Sequence, residues 1–183
     1  MKVLLDACVL YPNVQREVLL KSARAGAFTP LWSDRILEEW RRAAARLGAV
    51  AAAQAEGEIA LLRGFWPEAA IRPRAADEAR LWLPDPNDIH VLAAAIAGSA
   101  DVLLTENAKD FPRGTLHEEG IRRDTPDHLL TSLLVTFPKA VRDAVEATWE
   151  TAQRMEGCPP TLRAMLKKSR LPRLAKAIEM GRP

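Results

Sequence analysis

The chain has 183 residues, 48% of them hydrophobic and 27% charged, with a formal net charge of +2. This suits one domain, or one domain with an appendage, and provides enough apolar side chains for a core. No apolar run approaches the length of a bilayer span, which excludes a membrane-spanning reading, and so small a net charge neither demands nor excludes a nucleic-acid partner.

Taken in chain order, the segment "KVLLDACVL" is a short apolar run with Asp6 inside it, read as a first strand with Asp6 at its C-terminal end. It is too short, and interrupted too early by an acid, to be a signal peptide. The helical period of "REVLLKSARAG" ends at Gly26, a C-cap residue. "AFTPLWS" reads as a second strand in spite of Pro30. Ser33 or Asp34 can N-cap a helix, "DRILEEWRRAAARLG", that Gly48 ends. An Ala-rich helix follows over 51–64, then a segment "ADEARLWLP" that stops at Pro84. "DPND" is a turn and cap, Ile89 to Ala97 a helix stopped by Gly98, "DVLLT" a strand and "NAKDFPRG" a loop. Strands alternating with helices predict parallel βαβ units, hence an α/β fold. From Pro126 onward the pattern is helical throughout, with Pro172 breaking the last stretch into two short helices. The division predicted is residues 1–124 as an α/β domain and 125–183 as an all-helical C-terminal extension.

Ligand sites in such sheets lie outside the carboxyl ends of the strands. Asp6 ends the first strand, Asn107 and Asp110 follow the strand "DVLLT", and Asp88 starts a helix. Ile36, Leu37, Trp40 and Ala44 mark the buried face of one helix, with Glu39 at its edge and Glu38 turned toward water. Asp88, Leu92, Ala95 and Ile96 share one stripe of another, so Asp88 points inward, whereas Asp85 lies between two prolines and is less constrained. Alone, each acid is also an ordinary cap or turn residue. Together, Asp6, Glu39, Asp88 and Asp110 would repel one another unless cations sat among them, and carboxylate oxygens suit Mg²⁺ or Mn²⁺. A metal-activated water that hydrolyses a phosphodiester is the chemistry that follows.

These same residues carry a family resemblance. "VLLDACVLYP", "LWSDRILEEWRR" and "DPNDIHVLAAAIAGSADVLLTENAKDF" resemble the motifs of the PIN domain, a family of metal-dependent ribonucleases, over about residues 2 to 123. The likeness is greatest to VapC-like toxins of type II toxin–antitoxin pairs, some with a helical C-terminal extension. It implies a Rossmann-like three-layer α/β/α sandwich, an endoribonuclease, and metal held by Asp6, Glu39 and Asp88. Asp110 would hold a second metal or orient water, with Thr105 and Asn107 in support. One departure stands out: many members carry Asp at the position of Asn107. Implied partners are RNA (tRNA among the candidates), an antitoxin protein, and a second copy in a homodimer. The alternatives are a nuclease acting on DNA or on 5′ ends, or a catalytically impaired RNA-binding or regulatory protein.

The remaining residues carry less. Cys8 and Cys158 give no disulfide framework and point to reduced thiols in a cytoplasm. The three histidines lack zinc spacing, and His90, turned from the Asp88 stripe, is expected at the surface. The five tryptophans are expected mostly in the core or facing a partner. Arg16, Arg41, Lys167, Lys168 and Arg170 are candidate contacts to an RNA backbone.

Overall fold

Four short segments pair into one parallel sheet, and burial on both faces explains why the central two do not alternate in polarity. The computed structural model describes residues 1–155 and 160–181, which leaves Cys158 outside the described residues. Strand β1 (Lys2–Leu5) is central, with β2 (Thr29–Leu31) on one side and β3 (Val102–Leu104), then β4 (Arg122–Asp124), on the other. All three pairings are parallel, with Lys2 opposite Thr29, Val3 opposite Val102 and Val102 opposite Arg122. Val3, Leu4, Leu5, Leu103 and Leu104 are fully buried, as expected of strands covered on both faces. Pro30 is tolerated because β2 is an edge strand. The strand β4 was not legible in "IRRD", because an edge strand with an exposed position shows no apolar run. The fold is α/β with a parallel sheet, as predicted.

Two compact units result: residues 1–11 with 29–124, and residues 12–28 with 125–183. The first holds the sheet and helices α1 (Ala7–Leu10), α3 (Asp34–Ala45), α4 (Ala49–Phe65), α5 (Ala75–Arg80), α6 (Ile89–Ala97) and α7 (Arg113–Glu118). Ser33 caps α3, its hydroxyl accepting from Ile36 N–H at 3.2 Å. The expected face of α3 is the buried one, with Ile36, Leu37, Trp40 and Ala44 all inside. Helix α6 is packed on every side, so it has no outward stripe. Gly98 ends α6 where a Cβ would lie 2.8 Å from Leu31 Cδ1 and 3.1 Å from Ile71 Cγ1; close approach, rather than an unusual φ, calls for glycine there.

The second unit is all-helical: α2 (Asn13–Arg24), α8 (Pro126–Thr136), α9 (Pro138–Met155), α10 (Leu162–Lys168) and α11 (Pro172–Met180). The first unit ends at Asp124, and α2 clusters with the C-terminal helices and packs chiefly on α9. A linear cut of the sequence cannot place α2 there, because the pairing is non-local. Asp127 is buried and caps α11 across 46 residues of sequence, its two oxygens accepting from Arg173 N–H and Leu174 N–H at 3.0 Å each.

Candidate metal centre

The strand order changes direction between β1 and β3, and that switch point is where the acids gather. Asp6 follows β1 directly. Its backbone N–H bonds Leu104 O at 3.1 Å, and its carbonyl accepts from Val9 and Leu10 at the start of α1. The backbone thus opens α1 while the carboxylate makes no capping bond. Instead Asp6 Oδ2 accepts from Thr105 Oγ1 at 2.6 Å and from Cys8 Sγ at 3.1 Å, at a site where Asp6 is 8% exposed. Burial, then the neighbouring Asp6 charge, pushes the Cys8 thiol up to about 12, so it stays protonated and can donate.

Thr105 follows β3 and passes the order onward. Its hydroxyl accepts from Asn107 N–H at 3.0 Å, and Asn107 Nδ2 donates to Asp88 Oδ2 at 3.0 Å. Asn107 therefore stands as a donor that fixes Asp88, where an aspartate would add a like charge.

Asp85, Asp88 and Asp110 each place a carboxylate oxygen so that all three oxygens lie within 4.8 Å of one another. Asp85 is held by accepting from Asn87 N–H at 2.9 Å and Asn87 Nδ2 at 3.0 Å, across a single 3₁₀ turn, Pro86–Asp88. Asp88 is pushed up to about 6, first by burial and then by the charges of Asp6, Asp85 and Asp110. Of the four expected acids, the structure brings Asp88 and Asp110 together and sets Asp6 within electrostatic reach of them.

Glu39 is not in the three-oxygen group among the described residues. Its Oε1 lies 3.5 Å from Arg35 Nε and 2.8 Å from His90 Nε2. The His90 contact is close enough for an ion pair but poorly directed for a hydrogen bond. Helical phase did not separate Glu39 from Glu38, since both side chains are 35% exposed; partners do, as Glu38 is gripped by Arg41 and Arg42. His90 is 2% exposed, which corrects its expected surface position: α6 is buried all round, so turning away from Asp88 leads into the core.

Asp85, set aside in sequence as less constrained, joins the acidic group, and Cys8, which no motif singled out, bonds Asp6. The Asp-Pro-Asn-Asp spacing was the available signal for Asp85, because i and i+3 eclipse on a 3₁₀ turn. Nothing local marks Cys8. Among the expected RNA contacts, Arg16 is 3% exposed and bonds Asn13, and Arg41 holds Glu38 at 2.7 and 2.8 Å. Lys167, Lys168 and Arg170 are exposed.

A family model described as PIN domain matches residues 2–109, more than half of the 183. The chain belongs to the PIN domain family. No curated protein and no solved structure matches it. PIN domains are typically metal-dependent nucleases, and this one offers only hard carboxylate oxygens in its acidic group, a donor set that fits a divalent cation of the Mg²⁺ or Mn²⁺ kind. The match ends one residue before Asp110, which nonetheless joins the group in space.

Proposed function

We propose that this PIN domain is an Mg²⁺- or Mn²⁺-dependent endoribonuclease and the cytoplasmic toxin of a type II toxin–antitoxin pair. The observation that carries the nuclease reading is the convergence of Asp85, Asp88 and Asp110, with Asp6 beside them, at the sheet's switch point. The toxin reading is supported by the resemblance of the four motifs to VapC-like toxins and implies an antitoxin partner and a homodimer.

In this reading Asp6, Asp88 and Asp110 hold the cation, and Asp85 supplies a further oxygen. Bound there, the cation would stabilise charge on the scissile phosphate and acidify a water. The chain's own residues prepare the site. Thr105 and Cys8 bind Asp6 through Oδ2 and leave Oδ1 without a bond from either of them. Asn107 holds Asp88 by one oxygen. Glu39 is engaged with Arg35 and His90.

The test is cleavage of labelled total RNA and tRNA with Mg²⁺ or Mn²⁺ by the chain and by its Asp6→Asn and Asp88→Asn variants. Discrete products that disappear with EDTA and with either substitution are expected. Equal cleavage by the variants, or products from DNA alone, would sink the reading.

A further inference from the structure

Helices α10 and α11 meet at a corner whose backbone closes by itself. Leu171 N–H donates to Leu166 O at 2.9 Å and Arg170 N–H to Lys167 O at 3.2 Å, the paired bonds of a Schellman end. This leaves Arg170 at φ +60°. Glycine is the unstrained residue at that position, since a Cβ crowds the backbone in the left-handed region. The same hook ends α2 and α7 with Gly26 and Gly120, and ends α6 with the small Ser99. Among the described residues, only Arg170 puts a long cation there. The fold does not call for arginine at this place, so the residue type needs another reason.

The surrounding charge supplies one. Between Leu162 and Met180 stand Arg163, Lys167, Lys168, Arg170, Arg173 and Lys176, against Glu179 as the one acid. Arg163 pairs with that acid at 2.7 Å. The other five are exposed, and none has an ion pair among the described residues. Arg173 sits in the first turn of α11, which has no acid of its own there and where a cation opposes the helix dipole. Buried Asp127 meets the backbone N–H groups of that turn, not the side chains. Like-charge crowding and an adverse dipole are both relieved by one ligand, a polyanion lying across the corner. The all-helical unit is also the basic one, with 13 Lys and Arg against 7 Asp and Glu, whereas the unit with the carboxylates has 13 against 17. A polyanionic substrate gains little attraction from the latter.

We propose that the α10–α11 corner is a nucleic-acid-binding site, in which Lys167, Lys168, Arg170, Arg173 and Lys176 take the phosphates of a single RNA strand. The proposal rests on the nuclease reading only for the identity of the polyanion.

Fluorescence anisotropy of the full chain on a labelled single-stranded RNA, in EDTA and over a range of salt, reads binding without cleavage. Arg170→Gly is the deciding variant, because it removes the cation and relaxes the backbone together. The expected result is a Tm equal to or above the parent's, a Kd raised several-fold, and a salt dependence of log Kd shallower by about 0.7 per lost phosphate contact. Lys167→Gln with Lys168→Gln shifts both further. Unchanged affinity and slope overturn the proposal, and so does a lowered Tm with binding intact, which makes Arg170 structural. Anionic phosphatidylserine vesicles are the contrasting probe: variant-sensitive binding to them but not to RNA also overturns it. Absence of cleavage with Mn²⁺ in a parallel assay would remove the nuclease reading while leaving the corner's RNA affinity to stand or fall on its own.

Discussion

At the scale of residues, Asp88 is where the site's electrostatics are concentrated. Its carboxyl sits at about 6 instead of 3.8, mainly because of burial and then because three other aspartates surround it. The folded chain therefore holds this proton more tightly than the unfolded chain does. Without metal, this group makes stability fall as pH rises from about 4 to about 6, and adds no further change above that. Asp88→Asn removes that slope, so chemical denaturation of the metal-free protein across this pH range is expected to show a flatter profile for the variant. On the proposed metal-centre reading, metal affinity is expected to have the opposite trend, rising through pH 6 as Asp88 ionises. Titration of Mn²⁺ at pH 5 and pH 7.5 checks this; equal affinity at both would remove Asp88 from the ligand set.

At the scale of elements, packing overrode pattern in helix α6. Helix α6 shows a stripe in sequence, yet it is enclosed on all sides, which buries His90 along with Leu92. Its end depends on Gly98. Gly98→Ala would gain about 0.4–1 kcal/mol by restricting the unfolded chain. It would also drive a Cβ to within 2.8 Å of buried Leu31, and overpacking of this kind costs about 1–3 kcal/mol. The steric cost outweighs the entropic gain, so a lower Tm is expected in thermal denaturation; an unchanged or higher Tm would mean that Leu31 and Ile71 can give way. The long helical stretch after Thr125 is divided instead by local chain chemistry. Phe137 ends α8, and Pro138 opens α9 at a position where its missing N–H is not needed.

At the scale of the whole molecule, a cation that binds the folded chain alone must stabilise it, by about 2.7 kcal/mol at a hundredfold excess over Kd. Differential scanning fluorimetry with Mn²⁺ at pH 7.5 is expected to raise Tm, with the shift reduced by Asp88→Asn and by Asp110→Asn. No shift in the parent would leave the acidic group as a structural cluster. Charge is also divided at this scale: the small net charge of the sequence hides an acidic unit and a basic one.

The parallel sheet and most of the helices were legible in the chain by itself, as were the places of Asp6 after a strand and of Asp88 at a helix start. Apolar runs, caps and prolines act locally, and strand ends mark where a parallel sheet places its ligands. Strand β4 was not, since an edge strand shows too little apolar signal. Three further features depend on contacts between distant residues. The grouping of α2 with the C-terminal helices is one. The meeting of Glu39 with His90 is another. The third is the relay from Asp6 through Thr105 and Asn107 to Asp88, which joins residues 99 and 19 apart. Only tertiary structure decides such pairings, because local periodicity says which way a side chain faces on its own element but not what another element brings to meet it.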